Sequence, residues 1–202
     1  MAQPNIQLSF ASGLYDRMQA LYTKEVTPKG IDLHFERIEA PRVIFDRMAS
    51  DNAFDLCEMS CSEYISRIAA GDHSFCAIPV FPSRSFRHSF ITINKKSGIE
   101  KPIDLFGKRI GVPLYTMTAA VWIRGHLIHD YQVDLSQVKW VQGSINSPTP
   151  HGEPTVMPMH QPISIEINDS KSSLSDLLRD QKIDAIIGTT LPYCIKTDPN
   201  IA

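Results

Sequence analysis

IPVFPSRSFRHSFITIN, residues 78–94, interrupts an otherwise regular pattern. Before it, β-rich runs alternate with segments of helical period. Strand Ile6–Phe10 leads through Ser12-Gly13 into helix Leu14–Tyr22, and strand Ile31–Ile38 follows the Pro28-Lys29-Gly30 turn. Helix Pro41–Ala49 carries proline in its first turn, and strand Phe54–Glu58 precedes helix Ser60–Ala70, which Gly71 ends. Residues 78–94 read instead as two extended runs with no helix between them. In two-lobed α/β proteins such a break is where the chain leaves one lobe for the other.

Beyond the break the alternation resumes. Strand Arg109–Val112, helix Met117–Tyr131 and strand Val138–Gln142 come first, then strand Ile163–Ile167, helix Ser173–Gln181 and strand Ala185–Thr189. Alternation of this kind predicts an α/β molecule with mainly parallel sheets. The predicted division is lobe 1 over 1–85 and lobe 2 over 86–190, with a Pro-, Ser- and His-rich loop at 143–159. Residues 191–202 are expected to begin a return crossing to lobe 1, whose closing elements would lie beyond Ala202.

Composition narrows the function classes. The 20 basic residues nearly balance the 22 acidic ones, so no long-range field steers the chain toward nucleic acid or anionic lipid, and an anion site must be local. No apolar run approaches the ~20 residues of a membrane span. MAQPNIQLSFASGLYDR lacks a basic segment followed by an apolar one, so it does not read as a secretory signal and the expectation is cytoplasmic. Cys57, Cys61, Cys76 and Cys194 contain no CxxC pair and are expected to be buried free thiols. His126 and His129 form an i, i+3 pair, but no carboxylate stands beside them at zinc-motif spacing, and no metal is expected.

Several strings carry a family resemblance. IPVFPSRSFRHS (78–89) resembles a segment of the 4,5-dihydroxyphthalate decarboxylase family, and four further strings match it in the same order. They are SGLYDR (12–17), FDLCEMSCSEYI (54–65), DLFGKRIGVPLYTMTAAVWIRGHL (104–127) and KIDAII (182–187). FRHS and YTMTAAVWIRG are the most specific, whereas the DLFGKRIGVP turn is widespread in type II periplasmic binding proteins and speaks mainly to fold. The resemblance implies a two-lobed type II periplasmic-binding-protein-like fold with a central cleft. It also implies a carboxy-lyase that converts 4,5-dihydroxyphthalate to protocatechuate and CO2 without a cofactor. The implied partner is a small aromatic carboxylate, with no nucleic acid or membrane, and homo-oligomerisation is left open.

Such chemistry calls for cations to hold two carboxylates, an acid to protonate the ring, and polar groups for two hydroxyls. Arg84, Arg87 and His88 fall within five residues. In an extended segment Arg84 and His88 share a face, and a turn over 83–86 would bring in Arg87. Arginine suits bidentate carboxylate recognition, and His88 is the candidate proton donor. The competing reading is that these are crossing-strand side chains in salt bridges with the other lobe. Tyr115, Thr116, Met117 and Thr118 open a helix whose N–H groups can receive a carboxylate, though Thr116 or Thr118 can equally be its N-cap. Glu58 and Tyr15 follow strands at their carboxyl ends, where open α/β sheets bind ligands. Glu58 is the second catalytic candidate, against a role capping the next helix. Arg124 reads as a surface or interlobe charge and Trp122 as packing. The rival function is a transporter's solute receptor using the same residues without chemistry; another reaction on the same scaffold, or a binding role, ranks third.

Overall fold

The computed structural model describes residues 4–149, 151–152 and 163–202. The fold is α/β with mostly parallel sheets, and the chain divides into two compact units, Met1–Ser85 and Phe86–Ala202.

In the first unit β1 (Ile6–Ser12), β2 (Ile31–Arg37) and β3 (Leu56–Cys57) form a parallel sheet of order β2-β1-β3. The β1–β2 register runs from Ile6 opposite Ile31 to Ser12 opposite Arg37. Helices α1 (Gln19–Tyr22), α2 (Pro41–Asp51) and α3 (Cys61–Ala69) follow the successive strands. Pro41 starts α2, where its missing N–H costs nothing, and Asn52 ends it in the left-handed region at φ 48°. The core is small: Ala11, Ile44 and Phe54, with Ile38, Phe45, Met48 and Cys57 packed around them.

The second unit holds β4 (Ile91–Ile93), β5 (Arg109–Val112), β6 (Lys139–Gln142), β7 (Ile165–Ile167) and β8 (Ala185–Ile187). Their order is β4-β8-β5-β6-β7, with β4 antiparallel to β8 and the other pairs parallel. Helices α4 (Thr118–His129) and α5 (Leu174–Arg179) connect them. The spacing of Ala119, Ala120, Ile123 and Leu127 puts one face of α4 into the core. Burying Ile123 or Leu127 contributes about 1.5–3 kcal/mol each. Ser173 caps α5 reciprocally with Asp176. At the end of β8 a Cβ on Gly188 would sit 2.5 Å from Ile145 Cδ1, so a larger residue there requires the Ile145 side chain to move. Residues 191–202 belong to this unit, and Ala202 N–H donates to the Ile93 carbonyl at 3.0 Å.

Four sequence expectations need correction. The Leu14–Tyr22 helix begins only at Asp16, as a 3-10 turn before α1, because Gly13 and Tyr15 are held by another side chain. The 78–94 segment is not extended throughout: Arg87 is helical at φ −95°, ψ −15°, and His88–Phe90 form a 3-10 turn. The alternating faces assigned to Arg84, Arg87 and His88 therefore do not apply. The N-cap of α4 is Met117, which makes no side-chain cap, and neither Thr116 nor Thr118. All four cysteines are free thiols, but Cys61 and Cys76 are exposed, Cys57 is half-buried and Cys194 alone is fully buried. The predicted 143–159 loop lies partly outside the described residues.

Candidate functional site

In the first unit the predicted pair Glu58 and Tyr15 meet directly. Glu58 leaves the end of β3 and is buried. Its Oε1 accepts from Gly13 N–H at 2.7 Å and from the Ser12 hydroxyl at 3.5 Å, while Oε2 accepts from the Tyr15 hydroxyl at 2.9 Å. A Cβ at Gly13 would lie 3.3 Å from the Tyr15 ring and 3.4 Å from Glu58 Oε1, so the loop, the ring and the carboxylate are closely packed there. Burial, reinforced by the Glu58 charge and hydrogen bond, pushes the Tyr15 phenol up to about 12. It stays a neutral donor at any ordinary pH. Burial, with Glu58 next, also pushes the Cys57 thiol up to about 11. Both Glu58 oxygens accept hydrogen bonds from this loop.

Sequence reasoning passed over Arg17 here. Its guanidinium lies 5.9 Å from the Tyr15 ring centroid, bonds the Pro82 carbonyl and pairs with Asp16. Arg84 is exposed and donates from Nε to the Phe81 carbonyl at 3.1 Å.

In the second unit Arg87 is half-buried with its guanidinium 5.8 Å from the Phe90 ring, and burial lowers its pKa. His88 is exposed and packs on other aromatic rings, 4.6 Å from His126 and 6.1 Å from Tyr131 between centroids. The structure thus brings Arg87 and His88 into one short turn.

Tyr115, Thr116, Met117 and Thr118 join the end of β5 to α4 as the sequence suggests. Tyr115 is buried; its N–H donates to Gln142 Oε1 at 2.9 Å and its ring stands edge-on to Trp140 at 5.2 Å. Because the Met117 thioether does not cap, the first N–H groups of α4 lie outside the helix ladder with no help from the N-cap side chain. Arg124 returns along α4 to this point. Its Nη1 donates to the Tyr115 carbonyl at 2.6 Å and its guanidinium lies 3.6 Å from the Tyr115 ring centroid. Burial lowers its pKa, so the cation is desolvated and held against aromatic faces. Sequence reading left Arg124 as a surface or interlobe charge and did not foresee its contact with Tyr115, nine residues earlier.

Arg17, Arg37, Arg42, Arg47, Arg67, Arg109 and Arg179 each form an ion pair. The three remaining arginines, Arg84, Arg87 and Arg124, meet no carboxylate at ion-pair distance among the described residues. A small cleft also opens at the carboxyl ends of β5, β6 and β8, lined by Pro113, Ser144, Asn146, Ser147, Thr189 and Thr190. Its hydroxyl-bearing residues lay in loops that sequence periodicity does not resolve.

A scan against protein-family models finds no match. Among curated proteins, the 4,5-dihydroxyphthalate decarboxylase of Comamonas testosteroni is 41% identical over 189 residues, 94% of this chain and 57% of that protein. The protein of the same name from Pseudomonas putida is 40% identical over 189 residues, covering 94% of this chain and 72% of its own length. The chain therefore spans little more than half of the first relative and nearly three quarters of the second. On this similarity the chain belongs to the 4,5-dihydroxyphthalate decarboxylase family.

Proposed function

We propose that the protein removes one carboxylate from a hydroxylated aromatic dicarboxylate without oxidation, converting 4,5-dihydroxyphthalate to protocatechuate and CO2. The observation that carries the reading is the set of three arginines, Arg84, Arg87 and Arg124, that meet no carboxylate at ion-pair distance among the described residues, where the other arginines are all paired. A dicarboxylate substrate supplies the missing anions. The proposal includes the two-lobed type II periplasmic-binding-protein-like fold with its central cleft, for which the division at Ser85/Phe86 and the largely parallel sheets speak. A cytoplasmic setting accords with the free thiols.

In this mechanism the arginines and the first turn of α4 hold the carboxylates. Electron density from the hydroxyl para to the departing group raises the basicity of the ring carbon that bears it. His88 delivers a proton to that carbon, the bond to the carboxylate breaks, its electron pair restores the aromatic ring, and CO2 leaves. With the Tyr15 proton given to Glu58, the Tyr15 oxygen and the remaining lone pairs of Glu58 offer acceptors for the ring hydroxyls. The step moves no net electrons, so its chemistry requires no redox group.

The test is incubation of the chain, in its complete reading frame, with 4,5-dihydroxyphthalate while CO2 and protocatechuate are followed. Equal amounts of both products are expected. Tight binding of the dicarboxylate with no CO2 on prolonged incubation would assign the protein to solute reception instead.

A further inference from the structure

His88, His126 and Asp130 place one ligand atom each within 4.8 Å of one another. His126 and Asp130 stand four residues apart at the end of α4, on one helix face, with His126 Nδ1 and Asp130 Oδ2 2.8 Å apart. His88 arrives from a separate element, the 3-10 turn after the unit boundary, and lays its ring 4.6 Å from that of His126. Trp122 and Tyr131 flank the pair, with ring centroids 6.2 Å from His126 and 6.1 Å from His88 respectively. All these groups belong to the second unit.

We infer that His88, His126 and Asp130 form a binding site for a divalent transition-metal ion of the zinc type. Two imidazoles and a carboxylate are the donor set of open zinc sites, in which a water completes the coordination. Magnesium and calcium are disfavoured because they demand oxygen ligands. Donors on a tetrahedral zinc stand ~3.3 Å apart, given bonds of ~2.0–2.1 Å. His88 is exposed at the start of a short turn, so rotation of its side chain closes the remaining gap without moving the helix. The ion takes the place of the direct His126–Asp130 contact. His129, three residues after His126 on the same helix, is not a member of this group.

The binding claim stands apart from the decarboxylase reading, since it concerns only three side chains of one unit. If that reading also holds, an occupied site withdraws His88 from proton donation, and zinc inhibits turnover.

Calorimetric titration of the metal-stripped protein with Zn²⁺, together with the visible absorption of bound Co²⁺, tests the inference. One ion per chain is expected, with intense Co²⁺ bands of a low-coordinate site. The partly exposed positions His126→Ala and Asp130→Asn are each expected to weaken Zn²⁺ by about tenfold or more, while His129→Ala leaves the affinity unchanged. The inference is overturned if wild type binds no stoichiometric ion. It is equally overturned if the His126→Ala/Asp130→Asn double variant, folded by circular dichroism, binds as wild type does, or if His129→Ala is the variant that loses the ion. None of these outcomes involves CO2 release, so failure here and failure of the decarboxylase reading are told apart.

Discussion

The two units treat buried charge in opposite ways. In the first, Glu58 is surrounded by donors: a glycine N–H, a tyrosine hydroxyl and a more distant serine all turn toward its oxygens. In the second, Arg87 and Arg124 are desolvated against aromatic rings and backbone carbonyls with no carboxylate beside them among the described residues. A satisfied anion holds a loop in place. A desolvated cation without a counter-ion is unfavourable in the empty protein and becomes favourable when an anion arrives. The first arrangement organises structure, whereas the second is prepared for a ligand.

The largest expected effect tests which unit supplies the proton. His88→Gln should keep dicarboxylate binding and lose ~10²–10⁴ in turnover, the usual contribution of a positioned acid. Single-turnover measurements beside binding titrations separate the two. Glu58→Gln should instead act on binding and loop order, because Gln offers Tyr15 and Gly13 one good acceptor where the carboxylate offers two. Survival of turnover in His88→Gln with its loss in Glu58→Gln would reverse the comparison and put the acid in the first unit.

A smaller effect sharpens the account of the cations. Arg87→Ala and Arg124→Ala should each weaken a bound dicarboxylate by ~2–5 kcal/mol in calorimetry, as expected for desolvated charges paired on binding. Arg84→Ala should cost less, since Arg84 is exposed and screened. Equal affinities in wild type and the Arg124 variant would return that residue to a purely structural role against Tyr115.

The smallest effect concerns the satisfied anion. Tyr15→Phe removes one donor from buried Glu58 and should cost ~1–3 kcal/mol of stability in urea unfolding. Its pH signature has a defined sign. The phenol ionises near its ordinary value of 10.0 when unfolded and at about 12 when folded. Its contribution is therefore complete below pH ~10 and lost as pH rises toward ~12. Wild type should lose stability more steeply than Tyr15→Phe across that interval, and parallel curves would dissociate the phenol from Glu58.

Sequence reading was strongest where structure follows local periodicity. α2, α4, β2 and β5 begin and end within a few residues of expectation, because apolar spacing and proline or glycine signals sit inside each element. It was weakest where a side chain is claimed from afar. Gly13 and Tyr15 fail to start a helix because Glu58, more than forty positions later, binds both. His126 finds Asp130 one helical step beyond His129, and His88 across 38 positions, a meeting that spacing along one helix does not announce. Cys61 and Cys76 show the limit of residue type as a guide, since a thiol on the outer face of a helix or in an irregular strand exit has no core to enter. Glu58 lies at a strand end and residues 115–118 at a helix start, whereas Arg84 lies in irregular chain, and the desolvation that singles out Arg124 is a tertiary property.

The two tryptophans give this division an optical counterpart. Both belong to the second unit: Trp140 is 3% exposed beside Tyr115 and within 5.9 Å of the Arg124 guanidinium, and Trp122 is 56% exposed beside His126. Intrinsic emission excited at the red edge is consequently silent about the first unit. It splits into a blue component from the indole next to the anion-seeking arginine and a red, quencher-accessible component from the indole next to the histidine pair. A single chain thus carries one native fluorophore for each of its two second-unit centres, so that occupancy of either can be followed without a label.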